Sequence, residues 1–266
     1  MSGRPNHGGN HPPGEAPRLL VVEHEADAGL GRMEALLAGV ARLDIRRPYV
    51  GDAVPTDAAG SGFDGVVVLG GEMGALDDST APWLPAIRQM MAGAVRVRLP
   101  VLGICLGAQL LAAACGGRVE RGTAGLEVGL VRIEPTLAAL DDVLLGPVTT
   151  ALGDGPGQAL SAAQYHQDAV VELPPDAVHL ASGGSYRYQA FRIGPVAWGL
   201  QYHPEVTQED FATWVRFGHG SLVGAGLDPR ELLQAVIAAE TSLRALAEEH
   251  AAAFAATLRT GVGRLR

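Results

Sequence analysis

The apolar positions of the chain repeat in two alternating patterns. Short unbroken runs, Leu19-Leu-Val-Val22, Val66-Val-Val-Leu69 and Val101-Leu-Gly-Ile104, predict strands buried on both faces, as in a parallel sheet. Between them, apolar residues recur at helical spacing from Leu30 to Val40 and from Ala81 to Val95, with Pro82 near the first turn of the second stretch. The run ending at Ile104 leads directly into a third helical stretch, Leu106 to Ala114. From Val119 to Ile133 the pattern turns to short strands, and residues 155–157 mark a loop. Further strands are predicted over 178–181, 186–193 and 196–202, punctuated by Gly183-Gly184 and Gly194-Pro195. Thr207 with Asp210 three residues on predicts the capped start of a helix running to Phe217. Strands alternating with helices indicate an open, mostly parallel α/β sheet flanked by helices. Ligands of such sheets bind at the carboxyl ends of the strands, where Gly70, Cys105 and the end of the His203 strand fall.

The ends of the chain differ from this middle. Residues 1–17 are rich in Gly, Pro, Asn and His and offer little to bury, so they are expected to form a disordered tail. The α/β domain is expected over 18–218, followed by a helical C-terminal extension over 219–266. Its Ala-rich stretch 229–258 carries Leu232, Leu233, Val236, Ile237, Leu243 and Leu246 mostly at helical spacing. That extension either packs back on the domain or offers a surface for a partner or for self-association.

Composition narrows the functional classes. A chain of 266 residues with 47% hydrophobic content can bury one sizeable core. A net charge of −9, with no basic run longer than Arg46-Arg47, argues against nucleic acid or an anionic membrane as partner. No apolar stretch is long enough to span a bilayer, and the N-terminus lacks the apolar core of a secretion signal. With two cysteines a disulfide framework is not expected, and a reduced cytoplasm suits a reactive thiol.

The candidate chemistry lies in two segments about a hundred residues apart. In Pro100-Val-Leu-Gly-Ile-Cys-Leu-Gly-Ala-Gln109, Cys105 sits at a tight strand-to-helix turn. Gly103 and Gly107 supply the small neighbours that such a turn requires. The helix start favours a thiolate and presents free backbone N–H groups to an oxyanion. In Gln201-Tyr-His-Pro-Glu205, His203 and Glu205 are two apart, so in extended chain they project to one side. Glu205 can then accept from one ring nitrogen while the other faces Cys105: a nucleophile, a base and an orienting group. Other residues carry weaker readings. His24 is a pocket-wall or a structural residue, Cys115 a buried filler, and His166 a pocket-shaping residue rather than the base. Glu23, Glu25, Asp77 and Asp78, like His7 and His11, lack the spacing of a metal site.

These two segments, together with Val66-Val-Val-Leu-Gly-Gly-Glu-Met-Gly-Ala-Leu-Asp77 and Tyr165-His-Gln-Asp168, resemble the class I (triad) glutamine amidotransferase family over about residues 18 to 218. Among its members the resemblance is to stand-alone glutaminase subunits of the GMP-synthase type. It implies a flavodoxin-like fold in which Cys105 attacks the glutamine side-chain amide and forms a γ-glutamyl thioester. His203 then acts as base and acid, and Glu205 orients it. It further implies that the backbone N–H groups of Gly71 and Leu106 hold the oxyanion. Gln109, Tyr165, Gln167 and Asp168 would contact the amino-acid end of the substrate.

The chain departs from the family at Glu72-Met-Gly, where many relatives carry Pro and then Ser, and at Tyr165, where stand-alone members often have Trp. Both changes bear on the pocket rim and leave the catalytic groups intact. No cofactor is needed for amide cleavage. The chain also lacks a phosphate-binding Gly-rich loop followed by Lys, so its ammonia would go to a separate ATP-dependent synthetase subunit, or to none. Two alternatives stand beside the glutaminase reading. One is a hydrolase of γ-glutamyl peptides or γ-glutamyl amines. The other is a non-catalytic regulatory subunit, which an intact Cys105, His203 and Glu205 disfavours.

Overall fold

In a computed structural model, described over residues 15–152 and 158–260, the buried apolar runs become the centre of a sheet. Along the chain the elements are β1 (Arg18–Val22), α1 (Met33–Ala38), β2 (Arg42–Arg46), a 3-10 turn (Pro48–Val50), β3 (Gly65–Val68) and α2 (Leu84–Arg96). There follow β4 (Val101–Ile104), α3 (Leu106–Ala114), β5 (Arg118–Arg121), β6 (Glu127–Pro135), α4 (Leu137–Leu140) and α5 (Leu145–Leu152). The second half holds β7 (Leu160–His166), β8 (Asp168–Glu172), β9 (Ala177–Gly183), β10 (Ala190–Ile193) and β11 (Ala197–Leu200). It ends with α6 (Gln208–Phe217), α7 (His219–Gly224), α8 (Pro229–Ala238) and α9 (Glu240–Thr260).

Nine strands form one sheet in the order β2-β1-β3-β4-β11-β10-β9-β6-β7, and β5 pairs with β8 in a small antiparallel ribbon. The pairs β2–β1, β1–β3, β3–β4 and β4–β11 are parallel. Across the sheet, β10 and β6 run opposite to the other strands. The expected open, mostly parallel α/β sheet is therefore present, with an antiparallel flank. Alternate residues of each central strand serve the two faces. Leu19, Val21, Val67, Leu102 and Ile104 join one core; Leu20, Val22, Val66, Val68 and Val101 join the other, with α2 and α3.

The helical extension contributes to the first core. Leu243, Leu246, Ala247, Ala251, Phe254 and Leu258 of α9 are buried there. His250 is fully buried, its Nδ1–H donating to the Leu246 carbonyl (2.8 Å) and its Nε2 accepting from the Tyr202 hydroxyl (2.9 Å). At the N-terminus of α9, Glu240 takes both Arg32 amino groups at 2.6 Å, and this pairing holds its carboxyl down at about 2. Among the described residues, no helix is long and apolar enough to cross a membrane.

Several boundaries differ from the pattern. The edge strand β2 escapes it because Arg42-Leu-Asp-Ile-Arg46 is half exposed and carries three charges. The helical stretch from Leu30 shrinks to α1, since Gly31, at φ +46°, is a turn against the Glu205 carbonyl. α2 starts at Leu84 rather than Ala81, with Pro85 in its first turn where no N–H is needed. Tyr186 and Gln189 precede β10 instead of belonging to it. The Tyr186 hydroxyl reaches back to the Gly125 carbonyl (2.5 Å), and a register shift follows Ala190. The short helices α4 and α5 are additions to the pattern. The loop expected at 155–157, and residues 1–14 of the expected tail, lie outside the described residues.

Candidate active site

Cys105 stands between β4 and α3 with φ 51° and ψ −107°, a backbone conformation that costs a non-glycine residue about 1–3 kcal/mol. Neighbouring structure fixes it there. The Cys105 N–H donates to the Leu200 carbonyl of β11 (2.7 Å), and its own carbonyl accepts from the Gln109 N–H (3.1 Å), opening α3. The two flanking glycines have no room for a side chain. A Cβ on Gly103 would lie 2.4 Å from the Gly107 carbonyl oxygen, and one on Gly107 2.0 Å from that of Val68. As the first residues of a helix, Leu106 and its successors have backbone N–H groups without intrahelical acceptors.

His203 follows β11 and is tied to β7 by its N–H donating to the Ala163 carbonyl (2.9 Å). Its Nδ1–H donates to Glu205 Oε1 at 2.7 Å, with both side chains about 4% exposed. The opposite nitrogen, Nε2, is buried with no hydrogen-bond partner of good geometry among the described residues. Burial works against a charged ring. The Glu205 carboxylate, and next the sulfur of Cys105, outweigh it and raise the proton affinity well above the usual imidazole range. A Cβ on Gly70 would come 3.2 Å from the His203 ring and 3.7 Å from the Cys105 Cβ, so the two side chains share one spot at the ends of β3, β4 and β11. Glu205 is itself anchored through its carbonyl, which accepts from the Arg32 N–H (2.8 Å). The Trp214 ring packs edge-on against His203 at 4.8 Å.

A cavity of ≈ 480 Å³ opens over these groups. Gly71, Cys105, Gln109, Tyr165, Gln167, Asp168 and His203 all lie on its wall. Glu205 sits behind His203, away from the wall, and Leu106 packs its side chain beneath Gly71. Gln109 is buried, its amide N–H donating to the Asp168 carbonyl (2.8 Å) and to Gln201 Oε1 (3.3 Å). His166, also on the wall, bonds Glu127 (2.9 Å) and the Asp168 carbonyl (3.0 Å). Burial alone would raise the Glu127 carboxyl, yet His166, Gln189 and the Ser185 N–H hold it below its usual range. The His166 ring is thus committed to structure.

Glu72 lies on the wall, where its departure from the family pattern placed it, and residues given no role at the site from the sequence also meet here. Gln201 donates from its amide to Cys105 Sγ at 3.7 Å. Glu25, Asp27, Glu72 and Trp214 line the cavity. Glu25 is pushed up to about 7, chiefly by burial; the Glu72 N–H works against this, and the Glu72 and Asp27 carboxylates add to it. Gln201 adjoins a recognisable motif, which is a local signal. Glu25 and Asp27 lie on the loop after β1 and become neighbours of His203 only through the fold. His24 accepts from the Trp83 ring N–H (3.1 Å) behind the Gly71 loop, and burial takes it down to about 4. It is a packed residue and does not face the cavity.

Comparison with known proteins agrees with this geometry. Residues 27–217 match the family model described as glutamine amidotransferase class-I. Over 148 residues the chain is 33% identical to gamma-glutamyl peptidase 3 of Arabidopsis thaliana, covering 55% of this chain and 56% of that protein. Over 115 residues it is 37% identical to the glutamine-hydrolyzing GMP synthase subunit of Methanosarcina mazei, covering 42% and 53% respectively. The chain thus spans a little over half the length of these curated relatives. Among solved structures, a glutamine amidotransferase from Thermotoga maritima superposes with a TM-score of 0.77 at 27% identity, over 91% of this chain and 99% of that one. A glutamine amido transferase from Methylobacillus flagellatus gives 0.79 at 27% identity, over 95% and 97%. With the family model spanning most of the chain and a fold matched over nearly its whole length, this chain belongs to the class I glutamine amidotransferase family.

Proposed function

We propose that the chain hydrolyses the side-chain amide of L-glutamine through a γ-glutamyl thioester on Cys105 and passes the ammonia to a separate ATP-dependent synthetase subunit. The observation that carries this reading is the juxtaposition of a strained Cys105 with a buried His203 whose Nδ1 is held by Glu205. In the proposed sequence, His203 Nε2 takes the thiol proton as sulfur attacks the amide carbon. The oxyanion is held by the N–H groups of Gly71 and Leu106. The tetrahedral adduct collapses as the C–N bond breaks, His203 returns the proton to the departing nitrogen, and water then cleaves the thioester. Glu205 keeps the ring in the tautomer that leaves Nε2 free to accept. Gln109, Tyr165, Gln167 and Asp168 are assigned to the amino-acid end of the substrate. The resemblance to a GMP synthase subunit supports a partner synthetase.

A second reading, hydrolysis of γ-glutamyl peptides or amines, is favoured by the cavity itself. Its ≈ 480 Å³ lies within the roughly 300–1,000 Å³ typical of drug-sized ligands, more than glutamine requires. Glutamate release from L-glutamine and from a γ-glutamyl dipeptide, with Cys105→Ala as blank, separates the readings. Preference for glutamine supports the amidotransferase. Rapid turnover of the dipeptide with little from glutamine supports the hydrolase, and full activity of Cys105→Ala refutes both.

A further inference from the structure

We infer that the C-terminal helix α9 is a working part of the catalytic site: Glu240, acting through Arg32, holds the turn 203–206 in the shape that presents Glu205 to His203. The inference rests on the Cys105, His203 and Glu205 chemistry proposed above and gives it two positioning residues. Its starting point is an incomplete anchorage. Glu205 Oε1 accepts from His203 Nδ1, but Glu205 Oε2 is buried with no hydrogen-bond partner of good geometry among the described residues. With no second bond to fix the carboxylate, its position depends on the backbone that carries it.

That backbone is held by Arg32. Its N–H donates to the Glu205 carbonyl (2.8 Å) and its Nε–H to the Val206 carbonyl (2.9 Å). The approach is close: Gly31 has φ +46°, and a Cβ there would lie 2.2 Å from the Glu205 carbonyl oxygen. Helix α9 in turn grips the guanidinium of Arg32. Nη1 and Nη2 donate to the two oxygens of Glu240, each at 2.6 Å, a planar two-pronged pair that fixes orientation as well as distance. The Arg32 side chain is 11% exposed, so water screens the pair little on that side. Glu240 is fixed further by N–H groups of Gln208 (2.7 Å) and Arg244 (2.9 Å). Helix α9 thus meets the segment between β11 and α6 at three places: at Tyr202 through His250, at Glu205 and Val206 through Arg32, and at Gln208 directly. His203 and Glu205 lie between the outer two. Neither Arg32 nor Glu240 lines the cavity, so both act on the reaction through Glu205 and not on the substrate.

The test uses two variants of the full chain. Glu240→Gln keeps the size of the side chain and removes its charge; Arg32→Lys keeps the charge and loses the planar fork. With L-glutamine and a γ-glutamyl dipeptide as substrates, both should keep KM within about twofold and lower kcat by roughly 10- to 10²-fold, the cost of a slightly misplaced catalytic group. Alkylation of Cys105 by iodoacetamide at neutral pH, followed on its own peptide, should slow about threefold, because a displaced Glu205 supports less of the His203 imidazolium that pairs with the thiolate. The decisive comparison repeats Glu240→Gln in Glu205→Gln. If Glu240 acts through Glu205, its effect on kcat and on alkylation disappears in that background. An effect of equal size in both backgrounds overturns the inference. So do kcat and alkylation unchanged in both variants, whatever the shift in urea midpoint, since α9 would then be packing alone. If neither substrate yields Cys105-dependent glutamate, the reading of Cys105 falls, and the alkylation comparison still decides the role of α9.

Discussion

His250 gives the account a sharp thermodynamic test. The ring is fully buried between the Leu246 carbonyl and Tyr202, which is one residue in sequence from His203, and burial takes it from 6.5 to about 4. An imidazole that resists protonation when folded binds more protons when unfolded, so its contribution is present above about pH 6.5 and is lost as pH falls towards 4. At about 1.36 kcal/mol per unit, the loss is about 2 kcal/mol by pH 5 and about 3 kcal/mol at pH 4. The perturbation is His250→Gln, which keeps an acceptor for the Tyr202 hydroxyl and cannot titrate. Urea unfolding from about pH 8 downwards should show the variant less stable at neutral pH and less steeply destabilised by acid. The double difference isolates His250 from His24, which is buried neutral for the same reason and shifts both proteins alike. Parallel pH profiles for the two proteins would refute the claim that His250 is held neutral in the α9 interface.

Further consequences concern the elbow and the thiol. Gly107→Ala should destabilise the fold by about 3 kcal/mol or more in denaturant melts, since the new methyl meets the backbone of β3 with nowhere to move. Gln201→Leu removes the N–H directed at Cys105 and the acceptor of Gln109; alkylation of Cys105 by iodoacetamide at neutral pH should slow about fivefold, with folding retained by circular dichroism. Glu205→Gln should leave the chain folded while lowering kcat by about 10²–10⁴, because the ring loses the carboxylate that fixes its tautomer.

Much of the parallel half of the sheet was legible because strands buried on both faces must be apolar, as β3, β4 and residues 19–22 of β1 are. The His203–Glu205 pair was legible because two-residue spacing in extended chain places both on one side. What escaped did so for definite reasons. The edge strand β2 has one half-exposed face and three charges, so its alternation is masked. Tyr186 reads as strand from its flanking residues, but its ring is drawn back over Gly122 by the Gly125 carbonyl. Glu72 was expected at the pocket rim, but its meeting with Glu25 and Asp27, nearly fifty residues away, comes only from the fold, since neither segment carries a pattern that announces the other. The burial of α9 was open in the sequence, whose helical spacing fits a core face as well as an exposed interface; the His250–Tyr202 contact sets its face towards the sheet.

The most direct test of the central claim is the mass of the chain acid-quenched during turnover of L-glutamine or a γ-glutamyl amide. The account predicts a γ-glutamyl adduct on the peptide bearing Cys105, absent without substrate and absent in Cys105→Ala, which should release no glutamate. Undiminished glutamate release by Cys105→Ala, or an adduct located on Cys115, would contradict it.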